Sequence, residues 1–127
     1  MPKNAARQIS AYGRNERGIR MDDLTITRLC AEAMGIKHRV IDGCYVECKP
    51  PKHIDQRWWT EYRPLHDDAQ CFALVKKFEL SIGRNQGVEW DVENRHSSFA
   101  DDYVCVMNKD LNRAICKCVA RMQQAKG

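Results

Sequence analysis

The sequence lacks the compact motifs on which many enzymes build an active site. It contains no glycine-rich phosphate-binding loop, no nucleophile elbow and no helix with paired histidines. These motifs position phosphates, a nucleophilic serine and a catalytic metal ion, so the corresponding reactions have no candidate residues here. We therefore expect a non-enzymatic protein with no catalytic residues and no cofactor.

Long apolar runs are also missing from the 127 residues. No stretch approaches the roughly 18 apolar residues that cross a bilayer, and the first residues lack the apolar core of a secretory signal. We therefore expect a cytosolic protein with no membrane partner. A chain of this length can bury about two thirds of its unfolded surface, which is enough for one domain without disulfides.

Cysteine is plentiful, but its spacing is irregular. The seven cysteines are Cys30, Cys44, Cys48, Cys71, Cys105, Cys116 and Cys118. An odd number without a repeat is a poor disulfide framework, and several of these positions face the core of predicted helices. We expect most of them to pack as small hydrophobic side chains.

Positive charge is concentrated at the N-terminus. Residues 1–20 have a formal charge of +4, which equals that of the whole chain, so residues 21–127 are formally neutral. A neutral domain argues against a large nucleic-acid surface on its body. We interpret residues 1–20 as a flexible basic arm and residues 21–127 as a single domain. The basic residues of the arm are Lys3, Arg7, Arg14, Arg17 and Arg20.

Met21 is a candidate second start of translation. Asp22 and Asp23 follow it directly and open the first predicted helix, and the codons for residues 16–18 would form a purine-rich ribosome-binding site. The start therefore stays open between Met1 and Met21, and the intact mass of the native protein decides between them.

Three segments have the apolar periodicity of amphipathic helices. The first covers 22–34 and ends at Gly35, the second begins after Pro64 with Asp67 as its cap, and the third begins near Asn108 or Asp110. We expect the second to be the central helix of the fold. Its predicted apolar face consists of Ala69, Phe72, Ala73, Leu74, Val75 and Phe78.

The remaining periodic segments predict strands. Asp42-Gly43 is suited to a tight hairpin turn between 38–41 and 44–48, and alternating or apolar runs at 80–82, 88–92 and 103–107 indicate two or three more strands. The order is helix, two strands, helix, two or three strands, helix. Three amphipathic helices are too many for one face of a small sheet, so they predict a small three-layer α-β-α sandwich around one sheet.

Several of these segments together resemble a known family. They are Tyr62-Arg63-Pro64, Asp67-Asp68, the helix 73–77, an isolated Trp90 in a strand, and the helix start at 110–116. The chain is similar over 22–124 to the small phage proteins of the ABA-sandwich domain family, and lambdoid NinX proteins share the layout. The resemblance implies a non-enzymatic bacteriophage or prophage accessory protein that acts in the host cytoplasm.

Cys44, Cys48 and His53 form a candidate zinc site, with His38 or His66 as a fourth ligand. On an extended strand, however, residues four apart lie ~13 Å from each other, which is too far for one ion. We therefore expect no metal site unless the strand breaks.

His66, Asp67 and Asp68 form a candidate acid–base set, with Cys71 one turn further along. A nearby carboxylate raises the pKa of a thiol, and two aspartates at a helix start are first of all caps. We expect a capping role.

Trp58 and Trp59 are adjacent in a loop that follows Pro50-Pro51. Adjacent side chains on an extended segment point in opposite directions, so at least one indole is expected to be exposed. With Tyr62 and Arg63 they form our candidate partner-binding set, because exposed aromatic residues beside arginine often anchor interfaces and can stack on a base. The alternative is that both indoles cover the sheet.

Two functional classes remain open. In the first, the protein inhibits a host system as a counter-defence factor, by blocking a host defence or regulatory protein complex in the manner of an anti-CRISPR or by sequestering a signalling nucleotide. In the second, the basic arm makes it a nucleic-acid-associated accessory protein. Arm-driven binding should weaken steeply with salt and disappear when residues 1–20 are deleted. We favour the first, and leave the oligomeric state open with a homodimer as one alternative.

Overall fold

A computed structural model describes residues 21–49, 58–94 and 103–126 of the chain. The predicted basic arm lies outside these ranges, as does His53 of the zinc hypothesis. In chain order, the described elements are α1 (Asp23–Met34), β1 (His38–Ile41), β2 (Tyr45–Cys48), β3 (Thr60–Tyr62), α2 (Asp68–Phe78), β4 (Ser81–Asn85), β5 (Glu89–Glu93), β6 (Cys105–Asn108) and α3 (Leu111–Lys126).

The described residues have a mixed α+β fold, which confirms the predicted class and is consistent with a small sandwich. The predicted order omits β3 and places all strands in one sheet. Instead, the strands form two antiparallel three-stranded sheets, β1-β2-β3 and β4-β5-β6. Each sheet is a meander, because every strand pairs with its neighbour in sequence.

Helices α1 and α3 pack against each other and connect the two sheets. On its other side, α1 contacts β1 and β2, whereas α3 contacts β5 and β6. Helix α2 packs mainly on α3. The buried side chains of these elements form one hydrophobic core cluster that includes residues from both sheets and all three described helices.

The local signals for α1 and the first hairpin are confirmed. Asp22 caps α1 by accepting a hydrogen bond from the Thr25 N–H at 2.8 Å, and Gly35 ends the helix at a φ of 71°. Asp42 and Gly43 both have positive φ, as a type I′ turn requires, and they join β1 to β2. The same turn geometry recurs between β4 and β5 at 86–87.

The outer edge of β3 is closed by a side chain from α2. The Arg63 N–H donates to Gln70 Oε1 at 2.6 Å, and Gln70 Nε2 donates to the Glu61 carbonyl at 3.3 Å. The Gln70 amide thus satisfies the groups that a fourth strand would have used. This contact explains why the first sheet ends at β3 and does not continue into β4.

The prediction that α2 is the central helix is wrong. Only Cys71 and Leu74 of α2 are buried, and Phe72 of its predicted apolar face is 54% exposed. Helix α3 contacts both other helices and one sheet, and it buries Ala114, Ile115, Cys116, Cys118, Val119 and Ala120. None of the helices in the described ranges has the length and apolar character needed to cross a membrane.

The cysteines are free thiols, all seven of which belong to described residues. Cys30, Cys71, Cys116 and Cys118 are buried, which confirms that most of the set packs in the core. The first three meet where the helices cross, since Cys30 Sγ lies 3.4 Å from the Cys116 carbonyl oxygen and Cys71 Sγ lies 3.8 Å from that of Asn112. Only small side chains allow the helices this close approach.

The Asp22 cap gives the fold a testable acid response. Hydrogen bonds from the Thr25 side chain and backbone hold the pKa of Asp22 below its ordinary value of 3.8. A depressed pKa means that the stabilisation is complete above the ordinary value and is lost as the pH falls through the lowered one. The difference in unfolding free energy between the native chain and D22A should therefore be constant above pH of about 5 and shrink in stronger acid.

Urea unfolding at several pH values measures this difference. The variant D22N is the control, because an uncharged asparagine caps a helix at every pH. A gap between the native chain and D22A that does not change on acidification would contradict the capping geometry.

Candidate functional site

The segment from Trp58 to Arg63 carries all four residues of the predicted partner-binding set. Its middle part is β3, an edge strand of the first sheet. Trp58, directly before the strand, is 72% exposed, which makes it the most exposed of the large hydrophobic residues described. An indole in this position has most of its surface free for contact.

Trp59 is half-buried, because it packs against an arginine from β1. The guanidinium carbon of Arg39 lies 4.1 Å from the centroid of the Trp59 ring. The same guanidinium donates to Glu47 on β2, from Nη2 at 2.8 Å and from Nε at 3.0 Å. The Arg39–Glu47 ion pair therefore fixes the guanidinium, and the guanidinium in turn restrains the Trp59 ring on one face of the first sheet. Of the two tryptophans, Trp58 is the exposed one and Trp59 the fixed one.

The predicted role of Tyr62 as a partner-contacting side chain stays a prediction, and the structure places this side chain mainly in the core. Tyr62 is only 4% exposed, since the alternation along β3 turns it towards the core, opposite Val46 of β2. Its hydroxyl is buried and finds no hydrogen-bond partner among the described residues. Burial raises the pKa of this hydroxyl. Tyr62 thus belongs to the core, and it also contributes to the lining of a cleft beside Arg63.

Arg63 is exposed and lines a cleft at the far end of β3. The cleft has a volume of about 230 Å³ and lies between the first turns of α1, the start of β2 and the chain that leads into α2. Leu24, Val46 and Leu65 contribute apolar atoms to it, whereas Glu61 and His66 add polar groups. The predicted partner-binding set therefore includes the exposed indole of Trp58 before β3 and the cleft beside Arg63 after it.

The candidate acid–base set has structural roles. Asp67 caps α2 by accepting a hydrogen bond from the Gln70 N–H at 3.0 Å, as predicted, and Asp68 accepts one from Asn112 Nδ2 at 3.0 Å. Contact with the Cys116 thiol and burial both raise the pKa of Cys71. That thiol stays protonated and is a poor nucleophile.

Cys44 and Cys48 of the zinc hypothesis lie at opposite ends of β2, the first exposed in the turn and the second half-buried. Among the described residues, no group of three or more histidine, cysteine or acidic side chains is placed to hold a metal ion. The alternative site on the basic arm, Lys3, Arg7, Arg14, Arg17 and Arg20, lies outside the described residues.

Three residues of this region are not among those predicted from the sequence. Arg39 and Glu47 fix Trp59 from neighbouring strands, and Glu61 joins the cleft beside Arg63. Arg39 and Glu47 are opposite in the register of the first hairpin, so the Asp42-Gly43 turn carried the signal for their pairing. No such signal marks Glu61, because its position depends on β3, which the sequence analysis did not predict.

Comparisons of the chain with protein-family models, with curated proteins and with solved structures found no match.

Proposed function

We propose that this protein is a non-enzymatic binding protein that inhibits a host system by holding a host protein complex through the surface formed by Trp58, Trp59, Arg39 and Arg63. The resemblance to the phage ABA-sandwich family implies a phage or prophage accessory protein, and the small size of the chain fits a counter-defence factor that acts by binding.

The observation that carries the proposal is the 72% exposure of Trp58 beside a fixed aromatic–arginine pair. Tryptophan and arginine are the residue types most enriched among those that dominate binding energy at protein interfaces. Because Glu47 holds Arg39 and Arg39 lies over the Trp59 ring, little side-chain freedom is lost when a partner covers this pair. A rigid patch with one projecting indole suits recognition of a protein surface.

The alternative, a nucleic-acid-associated accessory protein, rests on the formal charge of +4 that residues 1–20 carry. Lysine and arginine side chains on phosphates give binding that weakens steeply as the salt concentration rises. The two functions therefore differ in their response to salt.

Replacing Trp58 by alanine is expected to abolish capture of the partner complex from a lysate of the infected host, because it removes the largest exposed apolar side chain of the surface. Quantitative mass spectrometry of the captured proteins measures the loss. A parallel analysis of small molecules released from the native protein tests the signalling-nucleotide version of the hypothesis.

Phe72→Ala is the matched control, since Phe72 is another exposed aromatic residue but lies on α2. Capture should survive this change and should survive moderate salt. If W58A captures the same proteins as the native chain, the assigned surface is wrong. If capture disappears with salt and with replacement of the five basic residues of 1–20, the alternative function is the correct one.

A further inference from the structure

Strand β1 forms one outer edge of the first sheet, and its hydrogen bonds show which backbone groups face outwards. The Lys49 N–H donates to the Lys37 carbonyl at 2.9 Å, and both residues continue the register of the first hairpin. Bonded and non-bonded pairs alternate in an antiparallel ladder. Arg39 therefore also bonds to β2, whereas His38 and Val40 turn their N–H and C=O groups away from it. Within the described part of the chain, β1 pairs with β2 alone.

The two edges of the first sheet differ in how they end. At the β3 edge, the amide side chain of Gln70 takes up the free backbone groups. At the β1 edge, Arg39 and Val40 are exposed, and Val40 keeps 40% of its surface although it lies opposite the buried Val46. An uncovered edge strand with some apolar surface is a template on which an extended segment of another protein can add a strand.

The side chains of the β1 edge are positively charged at alternate positions. Lys37 and Arg39 are exposed and two residues apart, so they project from the same face of the extended chain. Lys49 is exposed as well and lies opposite Lys37 on that face. Glu47 pairs with Arg39 from the β2 side, which leaves the edge with a net positive charge. The edge therefore favours a segment with negative charge at alternate positions.

The other candidates for pairing at a sheet edge lack this pattern. Strand β6 contains no charged residue, and the one charged residue of β4, Arg84, donates to the Gly87 carbonyl at 2.9 Å. A second copy of β1 would place Lys37 and Arg39 beside the same residues of its neighbour. Like charges in that position destabilise strand pairing.

We infer that the protein partner adds an extended acidic segment to the outer edge of β1. The backbone of this segment bonds to His38 and Val40, its acidic side chains alternate beside Lys37 and Arg39, and an apolar side chain between them covers Val40. This inference rests on the proposed function and specifies its partner: a protein that covers Trp58 on one side of the first sheet and adds a strand on the other.

Amide hydrogen exchange of the isotope-labelled full-length chain, followed by NMR, tests the inference, because strand addition protects the outward N–H groups selectively. The probe is the peptide acetyl-TVEVEVT-amide, and acetyl-TVKVKVT-amide is the matched probe of opposite charge. At twice its dissociation constant, the acidic peptide should slow exchange at His38 and Val40 about threefold, since two thirds of the edges are then occupied. Exchange at Arg39, whose N–H faces β2, should not change.

Two variants test the charge and the backbone separately. Lys37→Glu should weaken binding of the acidic peptide about fivefold, whereas Lys77→Glu, which reverses an exposed lysine on α2, should not. Val40→Pro removes an outward N–H without removing a bond to β2, and it should abolish protection at His38. Val40→Ala retains that N–H and should retain the protection. Circular dichroism verifies that each variant is folded, and K37E tests the inference independently of V40P.

Four results would overturn the inference: unchanged exchange at His38 and Val40, equal protection by the two peptides, equal affinity of K37E and the native chain for the acidic peptide, or normal binding by folded V40P. The variant W58A should keep the protection, because Trp58 precedes β3 at the opposite edge. Loss of capture by W58A without protection by the peptide would refute the edge assignment alone. Protection by the peptide with normal capture by W58A would refute the proposed surface alone.

Discussion

Replacing Tyr62 by alanine is expected to lower the free energy of unfolding by about 4 kcal/mol, which is typical of deleting a buried aromatic side chain. Tyr62 is 4% exposed and packs into the core from β3, where it lies opposite Val46. Its removal leaves a cavity beneath the sheet that carries Trp58 and Trp59. Urea unfolding, followed by tryptophan fluorescence and by circular dichroism, measures the loss.

The variant Y62F separates the contribution of the ring from that of the hydroxyl. The hydroxyl is buried and has no hydrogen-bond partner among the described residues, so its presence costs stability. Phenylalanine should therefore leave the unfolding free energy unchanged or raise it by about 1 kcal/mol. If Y62A is as stable as the native chain, or if Y62F is destabilised as strongly as Y62A, Tyr62 does not occupy the described position.

Leu74→Ala is expected to lower the free energy of unfolding by about 3 kcal/mol, whereas Phe72→Ala should change it by less than about 0.5 kcal/mol. The two residues lie two positions apart on α2. Leu74 is fully buried, but Phe72 is 54% exposed and lies with its ring near the Lys76 ammonium, at 5.9 Å from the nitrogen to the ring centroid. Thermal and urea unfolding of the two variants, side by side, give both values.

The contrast between these two variants tests how α2 is oriented. If F72A proves the more damaging change, the helix is rotated about its axis relative to the described structure. If both variants are equally destabilised, Phe72 is buried in the folded protein by a contact that the described structure does not show.

Local chemistry made much of the fold predictable. Asp22 and Gly35 mark the ends of α1 because a carboxylate satisfies the free N–H groups and glycine adopts the left-handed conformation at low cost. Asp42-Gly43 likewise specified the first hairpin and its register. In these cases the residue that determines the conformation lies within a few positions of its effect.

The predictions about α2 and β3 failed because residues distant in sequence determine how these two elements pack. The apolar residues of α2 extend around more of the helix than its neighbours can cover, so periodicity alone could not distinguish Leu74 from Phe72. The three-residue strand β3 is too short for a recognisable alternation, and it exists because β2 pairs with one edge and the Gln70 side chain closes the other. The burial of most of the Tyr62 side chain likewise depends on the pairing of β3 with β2.

The candidate site was predictable in part. Two adjacent tryptophans predicted at least one exposed indole, and Trp58 is indeed exposed, whereas Trp59 is half-buried. Which of them would be fixed depended on Arg39, a residue 20 positions earlier in the chain, and on its pairing with Glu47. The cleft beside Arg63 depends on three separate segments and has no signature in any one of them.

The most direct test of the proposed binding function is the affinity of the purified partner complex for W58A and for F72A, measured by calorimetric titration at moderate salt. The assigned surface predicts that W58A raises the dissociation constant at least about 30-fold, which corresponds to about 2 kcal/mol, and that F72A leaves it unchanged. An equal affinity for the native chain and W58A would contradict the account, and so would a loss of affinity confined to F72A.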